Sequence, residues 1–238
     1  MPTFFRIPDE RRHRNAIISL VSRSVPMIST YSILLLGFVL GMRHATDADH
    51  VVAVTTIVSR QPSLARASTI GALWGIGHTA TILLVGGLIV VFRVVIPPRL
   101  GLAMEFAVAL MLILLGVINL SGRTFAALES TMRPLVVGFV HGLAGSAFVA
   151  MLVLTALPSA AAGIAYLLIF GVGTIAGMML VTLAVAAPTA LTARRFGNVQ
   201  HYLRFASGVA SIAFGLFLAH QVGVVDGLFS TTPEWSPK

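Results

Sequence analysis

Six long apolar stretches, joined by short polar segments, restrict the fold more than any other feature of the sequence. Each stretch is long enough to cross a hydrocarbon layer of about 30 Å as a helix that rises about 1.5 Å per residue. The chain is 57% hydrophobic and only 10% charged, whereas ordinary soluble domains carry about 25% charged residues. We therefore predict an all-α integral membrane protein with six transmembrane helices.

The polar segments divide the chain into a membrane domain and two tails. Residues 1–27 form a polar, basic N-terminal tail, 28–223 the membrane domain and 224–238 a C-terminal tail. The predicted spans are about 30–58, 69–95, 103–120, 134–157, 163–187 and 203–222, and the fifth is expected to end at Pro188. The net charge of +8 comes mainly from arginines in the N-terminal tail and the loops, where membrane proteins hold cations near lipid headgroups. The predicted partner is therefore the lipid bilayer and not nucleic acid, and assembly into a homo-oligomer is left open.

The two halves of the membrane domain resemble one another. Three pairs of residues match at offsets of 96, 97 and 99 residues, namely Gly77 with Gly173, His44 with His141, and Gly116 with Gly215. Each repeat (28–123 and 131–223) would hold three spans, and an odd number of spans makes the two halves insert in opposite directions. We predict a 3+3 inverted repeat with a substrate site near the midplane. The alternative is chance similarity between helices rich in small residues.

A charged segment interrupts the first predicted span, where Arg43, His44, Asp47, Asp49 and His50 occur within eight residues. A charge at the bilayer centre costs at least about 2.5–3.5 kcal/mol, so this concentration indicates a function. On one continuous helix, at about 100° per residue, His44, Asp47 and His50 would share a face, and Asp49 would point towards another helix or a second shell of ligands. Because the chain has no cysteine, a bound metal would use imidazole and carboxylate ligands, which suit nickel, cobalt or zinc.

Two further histidines are predicted to complete a metal site. His78 lies among glycines in the second span, and His141 occupies the position in the fourth span that is equivalent to His44. Arg43 is expected to balance charge, and Ser146 to add a polar group to the cavity. The alternative is that Arg43 simply pairs with Asp47 and that the histidines only pack between helices.

The charged segment closely resembles the signature of the nickel/cobalt transporter family, Arg-His-Ala-x-Asp-Ala-Asp-His. Gly77-His78-Thr79 resembles the second motif of that family, Gly-His-Ser/Thr. The resemblance covers residues 34–85 and implies secondary transport of Ni²⁺ or Co²⁺, with metal-handling residues His44, Asp47, Asp49, His50 and His78 and with Thr79 beside them. Full-length members usually have eight spans and two further acidic motifs, whereas the fourth to sixth spans here contain no acidic residue. The segment 141–146 instead resembles shorter relatives of the LysE-type superfamily that are linked to urease accessory and exporter-like proteins.

The sequence thus predicts a multi-pass secondary transporter of a prokaryotic cytoplasmic membrane that takes up Ni²⁺ or Co²⁺ and is not an enzyme. The divalent metal ion would be the transported substrate, and no permanently bound cofactor is expected. Two alternatives remain: metal efflux or an accessory membrane component, and an intramembrane metalloenzyme that activates water at a His/Asp-bound metal. The choice of metal, the direction of transport and the energy coupling are left open.

Overall fold

The computed structural model describes residues 31–59, 63–94, 96–121, 132–157, 159–193 and 199–235, without the side chains of 145–156, 189, 191–193, 199 and 200. The predicted N-terminal tail, 1–27, lies outside the described residues. Every regular element of the described part is helical. We number the helices α1 (Tyr31–His44), α2 (Ala48–Val58), α3 (Leu64–Phe92), α4 (Pro98–Ser121), α5 (Met132–Ala156), α6 (Ala160–Ala193) and α7 (Val199–His220, extended by a π-helical turn to Val225).

Four helices are long and apolar enough to cross a membrane: Leu64–Phe92, Pro98–Ser121, Ala160–Pro188 and His201–Val225. They match the second, third, fifth and sixth predicted spans. Large apolar side chains on their outer faces, such as Leu110, Leu180 and Leu216, are more than half exposed, which suits contact with lipid rather than with water. The chain is therefore a helical membrane protein. Six crossings stay a prediction, because the first predicted span is divided and the side chains of the fourth are described only to Ala144.

The predicted continuous helix through the first span is wrong. α1 ends at His44 and α2 begins at Ala48, with a turn between them. The Thr46 hydroxyl donates to the carbonyl oxygen of Arg43 at 2.6 Å, and such local bonds compete with the hydrogen bonds of the helix backbone. Asp47 takes an extended conformation (φ −61°, ψ 147°) as the N-cap residue of α2, a position that aspartate favours. The helix is therefore interrupted within the charged segment, and the polar residues of this segment do not line one helical face.

The fifth membrane span ends at Pro188, as predicted, but its helix does not end there. α6 continues through Pro188 to Ala193. Proline inside a helix removes one backbone hydrogen bond and crowds the preceding turn. In a helix of 34 residues this loss affects only the last part, while the apolar packing of the preceding turns keeps the segment helical.

Glycines bring helices into backbone contact at four matched places. At each of these glycines a Cβ atom would collide with a carbonyl oxygen of a neighbouring helix: Gly77 with Leu135, Gly173 with Phe38, Gly138 with Trp74, and Gly41 with Phe170. Each residue of the first contact has a counterpart in the second contact, 96 residues away for the glycine and 97 residues away for the carbonyl residue. The third and fourth contacts are related in the same way, with 97 residues between the glycines and 96 between the carbonyl residues. Close approach of this kind requires small residues. It holds α3 against α5 and α1 against α6, so that the histidine-bearing parts of α1, α3 and α5 lie close together.

α2 packs between α4, α6 and α7 and is anchored at both its apolar and its polar positions. Ala53, Val54 and Val58 belong to the main apolar core. At the carboxyl end of α2, the Ser59 hydroxyl accepts a hydrogen bond from the Asn119 amide of α4 at 3.2 Å, and Thr56 donates to the Ser207 carbonyl of α7 at 3.2 Å. These contacts fix the orientation of the short helix that carries His50.

Candidate metal centre

Three imidazoles from three helices converge in the interior, and we call His44, His50 and His78 the imidazole triad. His44 ends α1, His50 lies in the first turn of α2, and His78 lies within α3. Their ring centroids are 4.7 Å apart for His44 and His50, and 5.1 Å apart for each of the other two pairs. One nitrogen from each ring can be chosen so that all three lie within 4.8 Å of one another. The break between α1 and α2 is what brings His44 and His50 side by side.

Two carboxylates orient two of these imidazoles. Asp47 Oδ2 lies 2.8 Å from His44 Nδ1, and Asp49 Oδ1 lies 2.9 Å from His50 Nδ1. An ionised carboxylate only accepts hydrogen bonds, so each neutral imidazole donates its Nδ1–H and keeps a lone pair on Nε2. His50 Nε2 is buried and has no hydrogen-bond partner among the described residues. Orientation of an imidazole by a carboxylate is the usual arrangement around metal-binding histidines.

The spacing of His44 and His78 fits a shared metal ion. Their Nε2 atoms are 3.1 Å apart, and two nitrogen ligands of a tetrahedral ion with metal–nitrogen bonds of 2.0–2.1 Å would be about 3.3 Å apart. Without an ion, one of the two nitrogens must donate to the other. Because His44 uses its proton towards Asp47, His78 Nε2 is the donor and His78 Nδ1 keeps a lone pair. That atom is buried and has no partner in the described part of the chain.

Asp49 also joins the triad to a fourth histidine. Its Oδ2 atom lies 2.8 Å from Nε2 of His141, which projects from α5 and is fully buried. Asp49, His50 and His141 form a second group whose ligand atoms lie within 4.8 Å of one another. With the histidines neutral, Asp47 and Asp49 give the whole cluster two negative charges. This charge matches a divalent cation.

Of the two acidic residues, Asp47 differs in place from the sequence-based expectation and Asp49 agrees with it. Asp47, predicted to share a ligand face with His44, is half exposed and holds the His44 ring by its Nδ1 atom. Asp49, predicted to point to another helix, contacts His141 of α5. Arg43 is exposed, and within the described residues it forms no ion pair with Asp47. The role of each residue as a metal ligand stays a prediction.

The other supporting residues lie at helix contacts or outside the described part. Thr79 is buried and donates to the Gly171 carbonyl of α6 at 3.2 Å, so it joins α3 to α6. The side chain of Ser146 lies outside the described residues. A π-helical turn, Ile82–Gly86, interrupts α3 one turn after His78. Such turns inside α-helices occur frequently at functional sites.

Two aromatic residues beside the imidazoles were not predicted as part of the site. The Trp74 ring stacks on His50 with centroids 5.8 Å apart and meets His141 edge-on at 5.6 Å. Phe170 lies 5.7 Å from the ring of His44. The available signal was the repeat itself, because each of these residues immediately precedes a glycine of the matched motif and they are 96 residues apart. They form apolar walls around the polar cluster.

Comparison with known proteins gives one extensive match. No protein-family model matches the sequence, and no solved structure matches it either. The chain is 26% identical over 208 and 211 residues to the chloroplast proteins FOR GROWTH AND FERTILITY 2 and 1 of Arabidopsis thaliana, with 76% of this chain aligned in each case. It spans only 54% and 56% of the length of these two relatives.

The chain is also 34% identical over 221 residues to the urease accessory protein UreH of Bacillus sp. (strain TB-90), and the match covers 85% of this chain and 96% of UreH. The predicted relationship to urease-accessory-type proteins is thus confirmed, whereas membership of the nickel/cobalt transporter family stays a prediction. At this identity over almost the whole of the relative, the chain belongs to the family of the urease accessory protein UreH.

Proposed function

We propose that this protein is a secondary transporter that takes up Ni²⁺ or Co²⁺ across a prokaryotic cytoplasmic membrane and binds the ion at the imidazole triad. The observation that carries the proposal is the convergence of His44, His50 and His78 from three helices in the protein interior. The Nε2 atoms of His44 and His78 are 3.1 Å apart, and Nε2 of His50 has no partner among the described residues. Imidazole ligands favour nickel, cobalt, copper and zinc, whereas calcium and magnesium prefer oxygen ligands. A site built on three imidazoles therefore discriminates against the abundant hard cations.

The matched glycine contacts support a 3+3 inverted repeat as the framework for transport. α4 and α7 add a further pair to those described above, because a Cβ at Gly116 would meet the Gly208 carbonyl and a Cβ at Gly215 would meet the Ala109 carbonyl. Gly116 and Gly215 are 99 residues apart, and so are Ala109 and Gly208. Inverted repeats provide alternating access when one half rocks against the other around a site near the midplane.

The name of the relative agrees with a supply role and not with catalysis. UreH is described as a urease accessory protein, and a membrane protein that provides metal ions would assist an enzyme without catalysing its reaction. The metalloenzyme alternative needs a general base beside a metal-bound water. Asp47 and Asp49 instead accept hydrogen bonds from imidazole nitrogens, which is the arrangement of residues that orient metal ligands. Efflux uses the same site, and only a directional measurement separates it from uptake.

Flux in proteoliposomes tests the proposal. We expect saturable movement of ⁶³Ni²⁺ or ⁵⁷Co²⁺ into vesicles that contain the purified protein, without competition from excess Mg²⁺ or Ca²⁺. Loading the ion inside or outside the vesicles, with protein of known orientation, assigns the direction. Empty vesicles give the background. Folded protein that moves neither ion in either direction would contradict the proposal, and movement only outwards from the cytoplasmic face would assign efflux.

The two tryptophans provide a separate measurement of binding. Trp74 lies beside His50, whereas Trp235 donates to Glu105 of α4. In the variant Trp235→Phe, Trp74 is the only tryptophan, and its fluorescence should be quenched by Ni²⁺ or Co²⁺, whose open d shells quench nearby fluorophores. Zn²⁺ should compete without the same quenching. The variant Trp74→Phe, which keeps only Trp235, is the control and should show little saturable quenching.

The two aspartates should affect metal affinity unequally. Asp47→Asn is expected to weaken Ni²⁺ binding about 10–100-fold, the usual cost of losing a residue that orients a metal-binding histidine. Asp49→Asn should weaken it more, because the Asp49 side chain is 28% exposed and that of Asp47 51%, so the interaction of Asp49 with its imidazole is screened less by water. Titration of Trp74 fluorescence in the Trp235→Phe background measures both affinities. Asp226→Asn, which alters an aspartate beyond α7 that pairs with Gln221, should bind as tightly as the parent. Equal affinities for all four proteins would refute the assignment.

A further inference from the structure

We propose that the centre holds one metal ion at either of two adjacent positions, the imidazole triad and a second position formed by Asp49, His50 and His141. His50 is common to both. This inference rests on the proposed function and deepens it, since it replaces a single cage of ligands by two positions between which the transported ion moves.

The ligand atoms of the described residues fall into two groups of three, not into one larger group. His44, His50 and His78 form the first group and Asp49, His50 and His141 the second. The His50 and His141 rings are 4.3 Å apart between centroids, closer than any pair within the triad, whereas His78 and His141 are 6.5 Å apart. His141 therefore does not close the triad around a single ion, and it builds a separate position on the other side of His50.

His141 stands in the second half of the protein where His44 stands in the first. His44 packs against the ring of Phe170 at 5.7 Å, and His141 packs against the ring of Trp74 at 5.6 Å. The two histidines are 97 residues apart and the two aromatic residues 96 apart. Each position is thus centred on one member of an equivalent pair. In an inverted repeat, equivalent residues lie towards opposite sides of the membrane, so the two positions are suited to exchange ions with opposite compartments.

The exposure of the two histidines differs in the way that alternating access requires. The His44 side chain is 18% exposed and adjoins the half-exposed Asp47, whereas the His141 side chain is completely buried. A carboxylate is not stable against lipid, so Asp47 lies at a water-accessible opening. Within the described residues, the triad thus reaches that side through His44, while His50 and His78 are buried and His141 has no exposed surface.

His50 can serve both positions because it has two ring nitrogens. With its proton on Nδ1 and donated to Asp49, the Nε2 lone pair is directed to an ion at the triad. An ion at the second position would replace the two N–H···O contacts of Asp49 and bind Asp49, His50 Nδ1 and His141 Nε2. The protons of the two neutral rings then move to His50 Nε2 and His141 Nδ1, which are both buried and without a partner among the described residues. The number of protons is unchanged. The occupancy stays at one because both positions use His50, and a neutral imidazole has only one ring-nitrogen lone pair to give to a metal ion.

Two substitutions of His141 test the inference by comparison with the wild type. Ni²⁺ binding is measured by the quenching of Trp74 fluorescence in the Trp235→Phe background, and Ni²⁺ flux is measured in proteoliposomes. His141→Ala removes the second position and leaves the triad. His141→Gln keeps an N–H donor for Asp49 but is a poor metal ligand, so it preserves the packing and separates ligation from mere positioning. For both variants we expect one bound Ni²⁺ with an affinity close to the parent value, and flux reduced at least about 100-fold.

Three other results would be decisive. Normal flux in His141→Gln would show that His141 only positions Asp49, and it would overturn the second position. Loss of Ni²⁺ binding together with flux in a folded His141→Gln protein would show a single cage, and this also overturns the inference while the proposed function stands. Absence of Ni²⁺ and Co²⁺ binding in the parent protein would instead refute the proposed function itself. His220→Ala, at the exposed end of α7, is the control and should retain both binding and flux.

Discussion

Replacing His50 by alanine is expected to abolish Ni²⁺ accumulation, with uptake reduced at least about 100-fold. Loss of a residue that only orients a metal ligand already lowers metal affinity by about 10–100-fold, so loss of a ligand itself should have a larger effect. His50 belongs to both groups of ligand atoms. It is almost completely buried, and its Nδ1 atom is held by Asp49. Its loss therefore removes a ligand from the triad and also leaves Asp49 without one of its two partners. Accumulation of ⁶³Ni²⁺ by cells that express equal amounts of each protein is the measurement.

The His50→Ala experiment needs a control for folding, since the alanine leaves a cavity beside Trp74. The amount of protein in isolated membranes and its melting temperature in detergent should stay within the range of the control His201→Ala, which alters an exposed histidine in α7. Wild-type accumulation in a His50→Ala protein that reaches the membrane would remove the basis for the metal centre. His50→Gln, which keeps a polar group of similar size, should also fail to accumulate the ion.

The residues of the candidate site could be found in the sequence, but their arrangement could not. Charge inside an apolar span identified the segment 43–50, and the repeat identified His141. The prediction from helical periodicity then assumed an unbroken helix, on which Asp47 shared a face with the ligands His44 and His50. The helix ends at His44, where Thr46 bonds to the Arg43 carbonyl, and whether a helix ends at such a bond depends on the tertiary structure around it. The contact of Asp49 with His141, 92 residues away, is a tertiary contact that no local pattern specifies.

The fold was predictable to a similar degree. The lengths of the apolar stretches located the four helices that can cross a membrane. A helix suits the bilayer when it is long enough to span the hydrocarbon layer and its side chains are apolar, and both properties can be read from the sequence. The fifth span ends at Pro188 as predicted, whereas the continuation of the α6 helix to Ala193 was not expected, because a proline usually ends a helix. Trp74 and Phe170 were overlooked as site residues because an aromatic residue in an apolar span resembles any other core residue. Their equivalence becomes visible only when the repeat is extended by one position on the N-terminal side of each motif.

Gly77, which immediately precedes His78, should be a sensitive glycine position next to the site. In Gly77→Ala the new Cβ would collide with the carbonyl oxygen of Leu135 in α5, and a backbone atom cannot move aside as the end of a side chain can. Overpacking of this kind typically costs about 1–3 kcal/mol. Separation of α3 from α5 would also displace His78, the next residue, from the triad. We expect a lower melting temperature in detergent, less protein in the membrane and a loss of Ni²⁺ accumulation greater than the loss of protein.

Gly87→Ala makes the same chemical change further along α3 without the collision, because its Cβ would lie 3.6 Å from the Ile164 side chain, an ordinary contact. Alanine is favoured over glycine within a helix by about 0.5–1 kcal/mol, so this variant should be as stable as the parent or more so. Gly173→Ala provides the matched change in the other half, where the Cβ would collide with the Phe38 carbonyl of α1. If the halves are equivalent, Gly173→Ala should destabilise the protein as much as Gly77→Ala does, since the two contacts have the same geometry. A stable Gly77→Ala protein with normal accumulation would show that α3 and α5 can separate without disturbing the metal centre.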